Sequence, residues 1–225
     1  MIFDSTFIFV IIAFLLGMAA QFWLKSVFNR YSQVNARSGV TADRVARKLL
    51  DRFGLTSVEI QHVAGELTDH YDPRNKSIGL SDSVFGNSSI AAIGVAAHEV
   101  GHAIQHDRAY SPLAVRNAFV PVVGIGSNAA MPLFIIGIFA NIPMLMTLAI
   151  ILFTGAVVFH LVTLPIEFNA SSRAVTILRE TGTLNAQELD GVGRVLNAAA
   201  LTYVAAAALA VVQLIRLLVL KNMSD

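Results

Sequence analysis

Four apolar runs constrain this chain more than any other feature, because each is long enough to cross a bilayer as a helix. A spanning helix needs about 20 mostly apolar residues. Hydrophobic residues make up 55% of the chain and charged residues only 14%, against about 25% charged in soluble domains. The sequence therefore predicts a mainly α-helical, multi-pass membrane protein with about four transmembrane helices. The runs are Phe7–Leu24, Ala118–Ala140 (interrupted by prolines and glycines), Ile142–Leu164 and Ala198–Leu220.

The charges beside the first run predict its orientation. The residues before it include Asp4 but no lysine or arginine, whereas a signal peptide opens with positive charge. Lys25, Arg30, Arg37 and Arg44 follow the run instead, and cytoplasmic segments near membrane helices carry an excess of such residues. We therefore expect the N-terminus outside and the chain from residue 25 onward in the cytoplasm.

The apolar runs divide the chain into five segments. Two crossings in the middle form a hairpin, so the polar segments before and after it lie on the same, cytoplasmic side. The expected segments are an N-terminal transmembrane helix (1–24), a polar segment (25–117), a transmembrane hairpin (118–164), a cytoplasmic return (165–197) and a C-terminal transmembrane helix (198–225).

The polar segment 25–117 combines helices with short strands. Apolar spacing predicts a helix over 41–54. Alternating residues and turn signals at Ala64-Gly65 and Asp72–Asn75 predict a small antiparallel sheet of three strands, the last being Lys76–Ser81. A helix follows from about Ser89 to His106.

That last helix carries the sequence His98-Glu99-Val100-Gly101-His102. Side chains four apart on a helix share a face and lie about 6 Å apart along its axis. The two imidazoles can therefore bind one metal ion, with Glu99 as the general base of a zinc hydrolase. The chain has no cysteine, so any metal site must use His, Asp or Glu. We predict one Zn²⁺ ion. The alternative is a helix with partly buried, hydrogen-bonded histidines.

A third ligand must come from elsewhere in the chain. Glu167 follows the third apolar run, and an acid beside an apolar helix is costly without a partner. We predict that it binds the same ion; the alternative is an interfacial carboxylate paired with Arg173. His106 lies too far along the helix, about 9 Å from the midpoint of the motif. Asp190, in a Leu-Asp-Gly sequence, is better explained as part of a helix that begins with an Asn185–Glu188 capping pair.

Other polar residues could assist the reaction. His160 lies seven residues before Glu167, hence on a similar helix face, as a possible ligand or transition-state donor. His70 and Tyr71 are possible donors to an oxyanion, although capping of the Asp72-Pro73 turn is the simpler interpretation of both.

The sequences "AAHEVGHAIQ" and "LPIEFNAS" resemble the YugP-like family of putative neutral zinc metallopeptidases, which are bacterial membrane proteins, and the resemblance covers nearly the whole chain. It implies zinc, peptidase activity and a location in the bacterial cytoplasmic membrane.

The layout also resembles that of the CAAX prenyl proteases and the heat-shock membrane proteases. In that larger group a glutamate opens an E-x-x-x-D motif as third ligand, and its aspartate orients a histidine. Glu167 matches the glutamate, while Ser171 stands at the aspartate position and would fix an imidazole less firmly. In related gluzincins a strand before the metal helix pairs with the substrate backbone, which makes Ser77, Ile78 and Gly79 candidate substrate-binding residues by strand addition.

Together these features predict a membrane-bound zinc endopeptidase with a cytoplasmic, gluzincin-like unit. The expected partners are a peptide or membrane-protein substrate and the lipid bilayer. The net charge of +1 argues against nucleic acid, and the oligomeric state stays open. Two alternatives remain. One is a membrane adaptor or chaperone with a structural zinc site, and the other is an ion transporter using Asn128 and His160.

Overall fold

The computed structural model describes residues 6–223, apart from the side chains of Pro121, Val122 and Ile125. Asp4, the acidic residue before the first apolar run, lies outside the described residues. The described elements are α1 (Phe7–Ser32), α2 (Ala42–Arg52), β1 (Glu59–His62), β2 (His70–Asp72), β3 (Ser77–Leu80), α3 (Ile90–Asp107), α4 (Ser111–Phe139), α5 (Pro143–Glu180) and α6 (Ala186–Asn222).

The chain forms two compact units. Within the described residues, the apolar unit comprises 6–21, 111–165 and 201–223, and the mixed α/β unit comprises 22–110 and 166–200. Helices α1, α5 and α6 each contribute residues to both units. The mainly helical class and the small sheet are thus as predicted.

Among the described residues, three helices are long and apolar enough to cross a membrane, namely α1, α5 and α6. Helix α4 is continuous from Ser111 to Phe139, but its apolar stretch in the described residues covers only Gly126–Phe139. The spans at the first, third and fourth runs are therefore candidates by length and composition. A fourth crossing over 118–140 stays a prediction, and so does the cytoplasmic orientation.

Large hydrophobic side chains cover the outside of the apolar unit. Leu16, Phe139 and Ile151 are 60%, 73% and 63% exposed. The unit has its own small core, in which Phe134 of α4, Met146 of α5 and several neighbours pack together. Such exposure is unfavourable in water and favourable in lipid, so these faces suit a bilayer.

In the mixed α/β unit, α3 is the central helix and is buried along most of its length. Its first turn is capped by Ser89, whose side chain accepts a hydrogen bond from the backbone N–H of Ala92, as serine does at many helix starts. The predicted helix over 89–106 is therefore confirmed. The core around it is made mainly of alanine, valine, leucine and isoleucine from α2, α3, β3, α5 and α6.

The predicted cap of α6 is also present. Asn185 accepts a hydrogen bond from the backbone N–H of Glu188, and the Glu188 carboxylate accepts one from the backbone N–H of Asn185. This reciprocal pair explains why α6 begins where it does.

The sheet differs from the prediction of three antiparallel strands. Its order is β1-β3-β2; β3 pairs parallel with β1 and antiparallel with β2. The turn at Asp72–Asn75 does form a hairpin between β2 and β3, but the segment after β1 crosses over instead of turning back. The reason is burial: β3 is buried at every position, whereas β1 is mostly exposed and no residue of β2 is fully buried. The most apolar strand therefore lies in the centre.

This topology corrects the prediction that Ser77, Ile78 and Gly79 bind substrate by strand addition. All three lie in β3, which has a neighbour on each edge. Strand addition requires unpaired backbone groups along an edge. The central strand has no free edge, so these residues cannot bind a peptide in that way.

Candidate metal centre

Two helices bring three potential ligands together. His98 and His102 project from one face of α3, and Glu167 projects from α5, 69 residues after His98. One atom from each side chain lies within 4.8 Å of the others. The Nε2 atoms of the two imidazoles are 3.1 Å apart, and Glu167 Oε2 lies 3.2 Å from His98 Nε2 and 3.5 Å from His102 Nε2.

These three separations match those of a zinc site. With Zn–N and Zn–O bonds of about 2.0–2.1 Å and tetrahedral angles, neighbouring ligand atoms lie about 3.3–3.4 Å apart. The observed separations of 3.1, 3.2 and 3.5 Å scatter around that value. Two imidazoles and one carboxylate also form a common donor set of catalytic zinc. The residues present therefore fit a zinc ion.

Each histidine is held through its other ring nitrogen. His98 Nδ1 lies 3.1 Å from the hydroxyl oxygen of Ser171, and His102 Nδ1 lies 2.9 Å from the amide oxygen of Gln105. Such partners orient metal-binding imidazoles and select their tautomer. Ser171, predicted as a possible orienting residue, therefore lies where that role requires.

A glycine allows α5 to approach the motif closely. A Cβ atom placed on Gly101 would lie only 2.7 Å from the backbone oxygen of Ala170, well inside contact distance. Ala170 is one turn beyond Glu167 on α5. Because Gly101 has no side chain, the two helix backbones can meet where the ligands converge.

Glu99 is deeply buried, with 6% of its surface exposed. Burial raises the pKa of its carboxyl above the usual range, and the charge of Glu167 adds to this, while His98 and His102 oppose it. A carboxyl in such a setting takes up a proton more readily than a surface carboxylate does, which suits a group that exchanges protons.

The remaining predicted residues have other partners. Tyr71 shares a hydrogen bond of 2.8 Å with Nδ1 of His106. His106 lies in the last turn of α3, at the helix end expected for it. His70 is exposed, and its Nδ1 lies 2.9 Å from the carbonyl oxygen of Thr68. His160 belongs to the apolar unit and packs edge-on against Phe159.

The residues named in the alternative interpretations form other contacts. Arg173, the rival partner of Glu167, donates from Nε to Asn169. Asp190 forms an exposed ion pair with Arg194 at 2.8 Å, as expected for a helix-surface residue. Asn128, considered for ion transport, donates to the Gly124 carbonyl of its own helix.

Gln105 and Asn169 were not predicted from the sequence as residues of the site. Gln105 is fully buried and bonds both His102 and Asn169. Its signal in the sequence was a polar residue three positions after His102, directly after the apolar residues Ala103 and Ile104. Asn169 offered no comparable signal, because only the packing of α5 against α3 brings it to Gln105.

The chain is similar in sequence to known proteins. Residues 6–222 match a family described as "Putative neutral zinc metallopeptidase". The chain is 49% identical over 211 residues to "Putative membrane protease YugP" of Bacillus subtilis (strain 168), covering 93% of this chain and 94% of that protein. No solved structure matched the chain.

Proposed function

The chain belongs to the family described as putative neutral zinc metallopeptidases, and from this premise we propose that it is a membrane-bound, zinc-dependent endopeptidase. The observation that carries the proposal is the convergence of His98, His102 and Glu167 beside a buried Glu99. A site that only bound zinc for stability would need no additional buried carboxylate next to its ligands.

In this proposal His98, His102 and Glu167 hold one zinc ion. When bound, zinc lowers the pKa of a coordinated water to about 7 and polarises a carbonyl group. Glu99 accepts the proton of the attacking water on its carboxylate and later donates it to the leaving amine. Ser171 keeps the His98 imidazole oriented through Nδ1.

The proposed substrate is an extended peptide or a membrane-protein segment at the cytoplasmic surface of the bacterial membrane. One sequence feature supports the cytoplasmic side, and a second supports a site close to the membrane surface. Lys25, Arg30 and Arg37 follow the first apolar run, consistent with the positive-inside bias. Glu167 comes only three residues after the third run, which ends at Leu164. Reporter fusions at residues 66 and 183 would place both on the inner face, and opposite sides would contradict the proposal.

The test of activity is Glu99→Gln, which preserves size and removes the proton acceptor. We expect zinc binding to persist and peptide cleavage to fall about 10²–10⁴-fold, the usual contribution of general acid–base catalysis. Glu66→Gln, an identical change at an exposed loop position, serves as the control and should cleave at the parental rate. Cleavage by Glu99→Gln at the parental rate would refute the mechanism.

One observation favours a second candidate, a non-hydrolytic adaptor or chaperone with structural zinc. The ligand side chains are only 14%, 10% and 4% exposed for His98, His102 and Glu167, and structural zinc sites are typically closed. Hydroxamate inhibitors distinguish the two, because they require an open coordination position. Tight hydroxamate binding supports the peptidase, and zinc binding without hydroxamate binding supports the adaptor.

A further inference from the structure

Gln105 is a polar side chain buried completely within α3, three residues beyond His102. Its amide makes three hydrogen bonds. The oxygen lies 2.9 Å from His102 Nδ1. The nitrogen donates to the backbone carbonyl of Ile166 at 2.9 Å and to Asn169 Oδ1 at 3.0 Å. All three of these hydrogen bonds lead to the metal centre or to the helix that supplies its third ligand.

These contacts fix which way the amide faces. A backbone carbonyl can only accept, so the Gln105 nitrogen must face Ile166, and the amide oxygen must face His102. His102 Nδ1–H therefore donates to that oxygen. In a neutral imidazole the other nitrogen, Nε2, then carries the lone pair. Nε2 is the atom that lies beside His98 and Glu167.

The same amide also holds the turn of α5 that carries the carboxylate ligand. Ile166 directly precedes Glu167, and Asn169 follows it by two residues. Asn169 is itself oriented, because its oxygen also accepts a hydrogen bond of 2.7 Å from Arg173 Nε. A continuous chain of bonds thus runs from Arg173 through Asn169 and Gln105 to His102.

We propose that Gln105 is a positioning residue of the metal centre, an assignment that rests on the proposed zinc site. One rigid amide presents the Nε2 lone pair of His102 and at the same time holds the Glu167 turn at ligand distance. An apolar side chain of similar size could fill the space, but it would release both the imidazole and the α5 turn. Ser171 acts on His98 through one bond, so the two histidines are held by different means.

Gln105→Met tests the proposal, because methionine keeps the volume and removes all three bonds. The purified full chain in detergent is titrated with zinc against a chromophoric chelator. We expect a 10–100-fold loss of zinc affinity, the usual effect of removing a residue that orients a ligand, and a changed visible spectrum of the cobalt-substituted protein. Gln187→Met, the same change at an exposed position of α6, should leave both readouts unchanged.

A merely structural role would give a different result. The unfolding midpoint of the metal-free variant would then fall, while the folded variant bound zinc within twofold of the parental affinity and kept the parental cobalt spectrum. That outcome would overturn the proposal. If the parental chain itself bound no zinc, the proposed function would fail first, so the two failures are distinguishable.

Asn169 supplies a second test that does not depend on Gln105→Met folding. Asn169→Asp keeps an oxygen that accepts from both Gln105 and Arg173, so its zinc affinity should stay within about threefold of the parental value. Asn169→Leu removes that acceptor and should lose several-fold more affinity. Equal affinities for the two variants would contradict the role assigned to the Gln105–Asn169 bond.

Discussion

Two hydrogen bonds, one from each unit, show different ways of satisfying a polar side chain. In the apolar unit, Thr154 donates to the carbonyl of Ile150, four residues earlier in its own helix. In the mixed α/β unit, the Gln105 amide of α3 donates to Ile166 of α5. The first kind of bond satisfies a hydroxyl within its own helix and makes no connection to a neighbouring helix. The second kind fixes the distance between two helices.

The units also expose different surfaces. Ile151 in the apolar unit is 63% exposed, as suits a side chain in contact with lipid. Helix α3, which is also rich in small and apolar residues, is buried within protein and carries His98, Glu99 and His102. Apolar composition alone therefore does not distinguish a lipid-facing helix from a core helix that holds potential metal ligands. Polar hydrogen bonds between helices, such as that of Gln105 to Ile166, do distinguish the two.

The largest expected effect comes from removing a ligand in the mixed α/β unit. Glu167→Ala should lower zinc affinity by about 10³-fold, since structural zinc binding of about 10–16 kcal/mol is divided among its few ligands. Glu180→Ala, an exposed acid on the same helix, is the matched control. Zinc stoichiometry by metal analysis and chelator competition provide the measurement. Parental affinity in Glu167→Ala would remove the third ligand from the site.

A charge on the outer face of the apolar unit gives the next effect. Ile151→Asp should disfavour membrane insertion by about 2.5–3.5 kcal/mol, the cost of a carboxylate near the centre of a spanning helix. Leu67→Asp is the control. Leu67 is 42% exposed in the mixed α/β unit at φ +55°, a conformation that aspartate tolerates better than leucine. The integrated fraction after alkaline extraction measures both. Equal integration would mean that Ile151 does not face lipid.

The smallest expected effect concerns the close approach of α5 to α3. Gly101→Ala places a methyl group 2.7 Å from the Ala170 oxygen, and such overpacking costs about 1–3 kcal/mol. Gly193→Ala is the control, because a Cβ there meets nothing within 4 Å and alanine favours a helix. Thermal unfolding with and without zinc separates the effects. We expect Gly101→Ala to lose part of its stabilisation by zinc, and a shift no larger than that of Gly193→Ala would contradict the tight contact.

Local patterns in the sequence predicted much of the mixed α/β unit. Ser89 and the Asn185–Glu188 pair mark helix starts through hydrogen bonds that span three residues. The local sequence is therefore sufficient to predict them. The strand order was mispredicted because the Ala64-Gly65 turn signal is local, whereas the choice of the central strand depends on which strand the whole core buries. The resemblance to gluzincins led to the prediction that Ser77, Ile78 and Gly79 lie on a free strand edge, whereas both edges of β3 are paired.

The sequence by itself determined the helical periodicity that places His98 and His102 on one face, the length of the apolar runs, and the need for a ligand outside α3. Only the tertiary structure decided that Glu167 meets those histidines, that Gly101 permits the approach, and that Gln105 holds both sides of the site. The physical reason is the separation along the chain of the residues that determine each feature. Helical spacing depends on residues within one turn, whereas the separation of ligand atoms from α3 and α5 depends on how two remote helices pack.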